Sequence, residues 1–310
     1  MIDLKEIIHK NFDFLSDKTI LLAVSGGVDS MVLMDLFGQS PFNSIVAHCN
    51  FQLRGKESDS DQEFVLNKAQ QYGLDCQTIR FDTKAEQIKR KKSTQIIARE
   101  LRYAWFEQLS KELNIDYILT AHHKDDNLET VLINFIRGTG LEGLTGIPPK
   151  NGRIIRPLLN FSKQELISYA SKSQITWVED ASNLSEDYLR NKIRHRIIPL
   201  IKPLNSAFLK SFTKTIQHLR NSNDALTEYT DILLKSIIKQ HHQPLKFESL
   251  DINKLNQFKN QEQLLYRWLS PFKFSSWNDI YQLKNTQSGK YINSKDYVLE
   301  HHQNKRIPRH

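Results

Sequence analysis

Residues 25–30 (Ser-Gly-Gly-Val-Asp-Ser) have the composition of an anion-binding loop. The loop follows an apolar run and precedes residues with helical spacing. This context places backbone N–H groups and a helix N-terminus at the tip of a sheet, where they attract negative charge. No Gly-Lys-Ser or Gly-Lys-Thr follows, so the loop is not a Walker A loop. It does not match the dinucleotide GxGxxG motif either. A tight turn without chemistry is the alternative.

Each residue type in this loop suits a phosphate group. Gly26 and Gly27 let the backbone approach a phosphate closely, and the hydroxyls of Ser25 and Ser30 can donate hydrogen bonds to it. The carboxylate of Asp29 would repel a phosphate, whereas it is a ligand that Mg²⁺ prefers. We therefore predict a phosphate site with Asp29 as a metal ligand.

A second group of polar residues occupies 121–130 (AHHKDDNLET), where a predicted strand turns into a helix. His122, Asp126 and Glu129 should lie at the same end of the sheet as the glycine loop. Asp126 and Glu129 are three residues apart and share a helix face. Simple capping is the alternative, since acidic residues in a first turn complement the helix dipole.

Two arginines lie three residues apart in the sequence ARELRY, at Arg99 and Arg102. An arginine beside a phosphate site can stabilise the charge that develops on pyrophosphate. The alternative, which spacing alone favours, is an ordinary surface pair with Glu100 or Glu107.

A long basic segment follows near the middle of the chain. Residues 188–223 contain no Asp or Glu, and an acidic partner such as nucleic acid would explain a surface of this kind. A solvated helix face is the alternative. The basic residues are Arg190, Lys192, Arg194, Arg196, Lys202, Lys210, Lys214 and Arg220.

Alternating strand and helix patterns predict an α/β fold with a doubly wound, mostly parallel sheet. The predicted strands are 18–24, 44–48, 75–81, 117–121 and 154–158, and the predicted helices are 31–37, 57–72, 95–113 and 125–136. Ser162 and Glu165 form a capping box that opens another helix. The basic run 89–92 (KRKK) is predicted to be a mobile loop.

The pattern changes after this region. Residues 188–242 read as almost continuously helical, and 244–310 read as a small mixed or helical domain. We predict a catalytic domain with the phosphate site at 1–203, then a helical linker and a smaller, mainly helical C-terminal domain at 204–310.

Composition limits the class of protein. The 310 residues carry a net charge of +8, which is compatible with a polyanionic partner but does not distinguish RNA, DNA and acidic lipid. Cys49 and Cys76 do not form a CxxC pair, so two reduced thiols are expected. Charges interrupt every apolar run near the N-terminus, and no segment reads as a membrane span. We therefore expect a cytoplasmic protein without a membrane partner.

The glycine loop resembles the PP-loop of the N-type ATP pyrophosphatases, which split ATP into AMP and pyrophosphate and activate a carbonyl oxygen. Several strings together resemble the tRNA(Ile)-lysidine synthetases over about the first two-thirds of the chain. These strings are SGGVDS, residues 48–55 (HCNFQLRG) with Glu57, Ser58 and Asp61, ARELRY, AHHKDDNLET, residues 137–149 (RGTGLEGLTGIPP), and DASN at 180–183 followed by YLRNKIRHRIIP at 188–199.

The resemblance implies ATP as a co-substrate and Mg²⁺ as a cofactor. The other two substrates would be an isoleucine tRNA and free L-lysine. ATP would adenylate the C2 carbonyl oxygen of the wobble cytidine in an isoleucine tRNA with a CAU anticodon. The ε-amine of free L-lysine would then displace AMP and form lysidine. Homodimerisation through the helical region is compatible with the sequence. Some members of the family carry a further C-terminal tRNA-binding domain, which we do not find in these 310 residues.

The resemblance also assigns site residues by motif position. Asp29, Arg102, His122 and Asp126 would be catalytic, with Arg102 offsetting phosphate charge and Asp126 orienting Mg²⁺ or the lysine ammonium. The predicted nucleotide ligands are Ser25, Gly26, Gly27, Val28, Asp29 and Ser30, and the predicted RNA-binding residues are Arg190, Lys192, Arg194 and Arg196.

Three other functions use the same motifs. A tRNA sulfurtransferase would adenylate a base in the same way but commonly needs paired cysteines, and Cys49 and Cys76 lie on separate predicted strands. ATP-dependent amidation of a metabolite leaves the basic segment unexplained. A catalytically silent RNA-binding protein leaves the intact Ser25, Asp29, Ser30 and Asp126 unexplained.

Overall fold

The computed structural model describes residues 4–38, 41–179, 189–242 and 246–302. By its internal packing the chain divides into two units, Met1–Arg220 and Asn221–His310. The predicted boundary at 203/204 stays a prediction. Part of one quoted string, residues 180–188, lies outside the described residues.

A six-stranded sheet forms the centre of the first unit, in the order β3-β2-β1-β4-β6-β5. All neighbouring strands are parallel except β5, which runs antiparallel to β6. The strands are β1 (Thr19–Ala23), β2 (Asn43–Asn50), β3 (Asp75–Arg80), β4 (Tyr117–Thr120), β5 (Lys150–Asn151) and β6 (Ile154–Ile155). The predicted fold class is confirmed.

Helices cover both faces of the sheet because its central strands are apolar on both sides. Ile20, Leu21 and Leu22 of β1 are all fully buried. The helices of this unit are α1 (Leu4–Phe12), α2 (Val28–Gly38), α3 (Lys56–Gln71), α4 (Thr83–Arg90), α5 (Thr94–Glu112), α6 (Lys124–Ile136), α7 (Leu141–Leu144), α8 (Lys163–Lys172), α9 (Leu189–Lys192) and α10 (Ile198–Ile201). A single π-helical turn, Ile193–Ile197, joins α9 to α10.

The strand order reverses between β1 and β4, since β2 and β3 lie on one side of β1 while β6 and β5 lie beyond β4. Ligands of open α/β sheets bind at such a switch point, outside the carboxyl ends of the strands. The glycine loop leaves β1 at this edge, and His122 and His123 leave β4 there. The fold therefore brings together the two groups of polar residues that the sequence places at strand ends.

One local prediction is wrong. The basic run 89–92 is not a loop throughout, because Lys89 and Arg90 form the last turn of α4. Arg90 pairs with Glu86 four residues earlier at 2.6 Å, and basic residues in a last turn complement the helix dipole. Lys91 ends the helix in the left-handed conformation.

The second unit combines helices with two antiparallel hairpins. The long helix α11 (Phe208–Ile237) begins in the first unit and ends in the second, where a strand replaces the helix predicted up to residue 242. The remaining elements are β7 (Ile238–His241), β8 (Phe247–Leu250), α12 (Ile252–Leu255), α13 (Gln261–Leu269), α14 (Trp277–Leu283), β9 (Tyr291–Asn293) and β10 (Val298–Glu300).

Buried leucine and isoleucine side chains of α11, α12 and α13 form the core of this second unit. Among the helices within the described ranges, none combines the length and the apolar character that a bilayer crossing requires.

Candidate active site

The Ser30 hydroxyl organises the glycine loop. It accepts hydrogen bonds from the backbone N–H groups of Ser25 (3.1 Å) and Gly26 (3.2 Å), and it donates one to the Gly27 carbonyl (2.8 Å). The Ser25 hydroxyl lies 3.2 Å from it. Two amide donors thus converge on one oxygen in the first turn of α2, as an anion site requires.

Buried contacts fix the loop from behind. Gly26 has φ +96°, a backbone conformation that disfavours any other residue, and its carbonyl accepts a hydrogen bond from Val178 N–H at 3.0 Å. His48 Nδ1 donates to the Val24 carbonyl at 2.9 Å. Burial lowers the pKa of His48, so this imidazole is a neutral structural support.

Asp29 points its carboxylate toward a lysine from another helix. Lys163 Nζ lies 2.9 Å from Oδ1 and 2.7 Å from Oδ2 of Asp29. Lys163 is the first residue of α8, where Ser162 and Glu165 form the predicted capping box. The Asp29 side chain is only 24% exposed, so it lies in the site rather than on the outer surface.

His123 connects Asp29 with the start of α6. Its Nε2 lies 3.6 Å from Asp29 Oδ2 and 3.5 Å from Asp126 Oδ2. The same residue caps α6, because Asp126 N–H approaches His123 Nδ1 while His123 N–H donates to Asp126 Oδ2 at 3.0 Å. Asp126 therefore caps the helix, as the alternative reading of the motif predicted, and also lies in the site.

Asp125 holds α8 against α6. It accepts hydrogen bonds from the Lys163 backbone N–H at 2.8 Å and from Lys202 Nζ at 2.6 Å. Burial alone would raise the pKa of Asp125, but these two donors and the Lys202 charge lower it below its ordinary value. Asp125 is therefore ionised at neutral pH, and it positions Lys163.

Glu129 is almost completely buried, at 1% exposure, and two arginines neutralise it. Arg194 donates to it from Nε at 2.6 Å and from Nη2 at 3.0 Å, and Arg190 Nε lies 3.0 Å from Glu129 Oε2. Arg194 Nη2 also lies 3.6 Å from Asp126 Oδ1. Burial raises and the neighbouring His123 lowers the pKa of Asp126, which ends below its ordinary value.

The basic segment is thus partly inward-facing. Arg190 and Arg194 lie against the acidic face of α6, whereas Lys192 and Arg196 have exposed side chains. The sequence predicted a basic surface without acidic partners in the protein, because residues 188–223 contain no Asp or Glu. The structure differs, since Arg190 and Arg194 pair with Glu129. The partner, Glu129, lies more than sixty residues earlier, so local sequence could not reveal it.

His122 follows β4 and faces the same edge, with Nδ1 2.9 Å from the Thr120 hydroxyl oxygen. The pKa of His122 is lowered to about 4: burial is the largest cause, the charges of Arg156, Arg190 and Arg99 also lower it, and the Asp126 charge opposes them. The imidazole is therefore neutral at physiological pH and can accept or donate a hydrogen bond without carrying charge.

The arginines of α5 do not form the surface pairs that their spacing favours. Glu100 pairs instead with Arg90 and Lys92. Arg102 lies over the Phe51 ring, 5.3 Å from its centroid, and Arg99 lies over the Tyr103 ring at 4.8 Å. Stacking on an aromatic face leaves guanidinium N–H groups available for an anion.

Arg156 is a further guanidinium at this edge, directly after β6. It is 6% exposed, donates to the Pro148 carbonyl at 2.6 Å and has a buried Nε without a hydrogen-bond partner in the described residues. The Arg99 and Arg156 charges both lower the pKa of His122, so the site carries positive charge near this imidazole.

The predicted metal ligand Asp29 has a donor set that fits Mg²⁺ bound through a nucleotide. Within the described residues, no group of three or more His, Cys, Asp or Glu side chains forms a metal cage. Mg²⁺ usually takes one or two carboxylates together with substrate phosphates and water. Asp29 beside the amides of the loop supplies that combination, and the Lys163 ammonium now occupies the cation position at its carboxylate.

Sequence reasoning missed His123, Lys163 and Arg156. His123 is adjacent to the predicted His122, and its capping role could have been inferred from Asp126 three residues later. Arg156 lies within the predicted strand 154–158, whereas the observed β6 ends at Ile155 and leaves Arg156 at the ligand-binding edge. Lys163 is 134 residues from Asp29, and nothing local indicates that contact.

Two family models match the chain. Residues 2–201 match the PP-loop domain family, and residues 246–307 match the TilS substrate binding domain. The first match contains every predicted site residue, and the second lies within the second unit.

Relatives of known name match most of the chain. It is 38% identical over 292 residues to the tRNA(Ile)-lysidine synthase of Bacteroides thetaiotaomicron, covering 94% of this chain and 67% of that protein. It is 39% identical over 242 residues to the tRNA(Ile)-lysidine synthase of Chlorobaculum tepidum, covering 76% of this chain and 72% of that protein. The chain spans 56–64% of the length of three other such relatives.

Among solved structures, the U34-tRNA thiolase NcsA of Methanococcus maripaludis superposes with a TM-score of 0.56. The match covers 70% of this chain and 77% of the thiolase at 20% identity, which shows a shared fold.

Proposed function

Because the chain belongs to the tRNA(Ile)-lysidine synthase family, we propose that it converts the wobble cytidine of an isoleucine tRNA with a CAU anticodon into lysidine. ATP and free L-lysine are the other substrates. The cytidine C2 oxygen attacks the α-phosphorus of ATP, and pyrophosphate leaves. The neutral ε-amine of lysine then attacks C2, AMP leaves with the oxygen, and the amine loses a proton.

The glycine loop and Asp29 bind the nucleotide in this proposal. The backbone N–H groups of Ser25 and Gly26, which now donate to the Ser30 hydroxyl, are the donors that a phosphate oxygen would take. Gly27, Val28 and Ser30 form the helix N-terminus beside it. Mg²⁺, when bound at Asp29, would neutralise phosphate charge as pyrophosphate leaves.

The acidic face of α6 and the nearby arginines handle the other two substrates. Asp126 shares a face of α6 with Glu129 and accepts the lysine ammonium, which must lose a proton before it attacks. Arg102, stacked on Phe51, offsets charge on the departing phosphate. Neutral His122 donates or accepts a hydrogen bond at the cytidine or at the AMP that leaves.

The observation that carries the proposal is the contact between the basic segment and the edge of the sheet where the glycine loop would bind ATP. Arg194 contacts Glu129 and Asp126, and Asp126 is joined through His123 to Asp29 of the glycine loop. A segment with exposed Lys192 and Arg196 is thereby anchored next to the nucleotide site. RNA bound by this segment would bring a base to ATP.

The basic segment then divides into two roles. Lys192 and Arg196 contact tRNA phosphates. Arg190 and Arg194 hold Asp126 and Glu129 in position and approach the RNA from within the site. The C-terminal unit, whose match is to a substrate binding domain, contacts tRNA as well. Homodimerisation and a cytoplasmic location stay predictions.

The environment of the two cysteines disfavours the sulfurtransferase alternative. Burial raises the pKa of Cys49 to about 12, although the Arg102 charge opposes the change, and burial raises the pKa of Cys76 to about 11. Thiols of this kind are poor nucleophiles at neutral pH. Cys49 and Cys76 also lie on different strands and do not form a disulfide.

Incorporation of radiolabelled lysine into an isoleucine tRNA with a CAU anticodon tests the proposal, with purified protein, ATP and Mg²⁺. We expect ATP-dependent label on the tRNA, and none on a matched transcript with uridine at the wobble position. Release of AMP without label would contradict lysine as the nucleophile. If neither AMP nor labelled tRNA were formed, the whole proposal would be contradicted.

A further inference from the structure

The closest contact of Asp29 is with an ammonium group rather than with the loop. Lys163 Nζ approaches both carboxylate oxygens, at 2.9 and 2.7 Å, and so occupies the position in which a cation would bind. A Mg²⁺ ion on either oxygen would lie beside this positive charge. The two cations repel each other, so metal binding at Asp29 requires Lys163 to leave.

The backbone of Lys163 is fixed, but its side chain is not. The capping box of Ser162 and Glu165 and the hydrogen bond from Lys163 N–H to Asp125 hold the start of α8. The Lys163 side chain is 40% exposed and ends a flexible four-carbon stem. The ammonium can therefore move several bond lengths while the helix stays in place.

The neighbouring carboxylates offer a displaced ammonium little. Asp125 already accepts hydrogen bonds from Lys163 N–H and Lys202 Nζ. Arg194 and Arg190 neutralise Glu129. Asp126 accepts a hydrogen bond from the His123 backbone and is approached by Arg194, and in the proposed function it receives the ammonium of the substrate lysine. The proposed triphosphate would lie beside Asp29, at the loop from which α2 begins, and its oxygens could accept the displaced ammonium.

We propose that Lys163 pairs with Asp29 in the absence of nucleotide and becomes a phosphate ligand when ATP binds. In the nucleotide-free protein, the ammonium neutralises Asp29 and keeps a free divalent cation from binding there. When ATP arrives with its metal, the metal takes the carboxylate and Lys163 moves to a phosphate oxygen. The inference rests on the proposed ATP site and adds an exchange of ion pairs that couples metal binding to nucleotide binding.

Two binding measurements on Lys163→Met test the exchange, because they should change in opposite directions. Mn²⁺ alone, followed by its electron paramagnetic resonance signal, should bind the variant more tightly than the wild type. A non-hydrolysable ATP analogue with Mg²⁺, followed by calorimetry, should bind about ten- to a hundredfold more weakly, the loss expected for a charged hydrogen bond.

Lys111→Met is the matched control, since Lys111 is an exposed lysine of α5 that pairs with Glu107 rather than with a residue of the candidate site. It removes the same charge and should alter both affinities by less than about threefold, because screening weakens a charge that makes no direct contact. Lys163→Arg should keep most of the nucleotide affinity. Circular dichroism and thermal unfolding establish that each variant is folded, and Lys163→Gln serves if the Met variant is not.

Nucleotide binding that is unchanged or tighter in Lys163→Met would overturn the proposal and leave Lys163 as a shield for Asp29. Unchanged Mn²⁺ affinity would overturn the exchange itself. Neither measurement uses tRNA or lysine. An error in the RNA substrate would therefore leave these results intact, whereas failure of the wild type to bind the analogue would count against the ATP site.

Discussion

Arg194 reaches across from the basic segment and binds Glu129 of α6 through two hydrogen bonds, from Nε at 2.6 Å and from Nη2 at 3.0 Å. Glu129 is 2% exposed in its side chain, whereas the Arg194 side chain is 32% exposed. Burial and the Glu129 contact act on the pKa of Arg194 in opposite senses, and the pKa ends above its ordinary value. The contact joins the segment that would meet RNA to the edge that would bind ATP.

Glu129→Gln should therefore destabilise the first unit. The substitution keeps the shape but leaves Arg190 and Arg194 without their buried counter-charge. We expect a loss of about 2–3 kcal/mol in the free energy of unfolding, below the full cost of breaking a buried pair because both arginines are partly exposed. Urea unfolding measures it.

Glu107→Gln is the matched control, because Glu107 is 57% exposed and pairs with Lys111 at 3.6 Å. Exposed pairs of this kind contribute little, so its unfolding curve should match the wild type. An unchanged midpoint for Glu129→Gln would show that the two arginines do not depend on this carboxylate.

His122 should make the stability of the fold depend on pH. Its pKa is about 4 in the folded chain, against an ordinary value of 6.5. The unfolded chain therefore binds more protons between these values, and the free energy of unfolding must fall as pH falls from 6.5 toward 4. His122→Gln should remove part of this fall, on the order of 1–3 kcal/mol.

His48, whose pKa burial also lowers, is present in both proteins, so the difference between their curves isolates His122. Chemical unfolding at several pH values from 4 to 8 measures both. Parallel curves across this window would mean that His122 is not held neutral by its surroundings.

The sequence allowed the sheet and one half of the site to be predicted, for physical reasons that differ. The strand β1 is an uninterrupted apolar run. The loop after it contains two glycines, which let the backbone approach a phosphate closely. The order of strands and helices then determines which loops meet at the switch point. Asp29, His122 and Asp126 could be placed at one edge on these grounds alone.

The partners of these residues could not be predicted, because they come from distant segments. Lys163, Lys202 and Arg194 reach the site from three different helical segments, at separations of 65–134 residues from their partners. Sequence periodicity shows which face of a helix is buried but not which charged residue from another helix meets it. The inward-facing half of the basic segment was missed for this reason.

Asp29→Asn should abolish most of the nucleotide chemistry. The substitution removes the carboxylate charge that would hold Mg²⁺ while keeping the side-chain shape. Loss of one electrostatic contact to a developing phosphate charge typically lowers a rate by about a hundred- to a thousandfold, and we expect this for tRNA-dependent AMP release.

Asp59→Asn, which removes an exposed carboxylate paired with Arg80, should leave AMP release near the wild-type rate. Thin-layer separation of AMP from labelled ATP gives both rates. Wild-type release by Asp29→Asn would mean that the metal site lies elsewhere.

Lys192 should contribute to RNA affinity through charge alone. Its side chain is exposed on the basic segment, and each phosphate contact releases a counterion. Lys192→Gln should weaken tRNA binding across sequences and reduce the slope of log K against log salt concentration by about 1. Filter binding at several salt concentrations measures this slope.

Lys111→Gln removes an exposed lysine from α5, outside the basic segment, and should leave the slope unchanged. An equal reduction in both variants would point to a general effect of net charge rather than a contact at Lys192.

The two thiols should be dispensable, which separates lysine transfer from sulfur transfer. Burial raises the pKa values of Cys49 and Cys76 to about 12 and about 11, so neither is a thiolate at neutral pH. The double variant Cys49→Ala, Cys76→Ala should keep lysine incorporation within about twofold of the wild type. It should also unfold slightly more easily, since each substitution removes a partly buried group and costs about 1 kcal/mol. Abolished incorporation by a double variant with a native circular dichroism spectrum would place a thiol in the chemistry of lysine transfer.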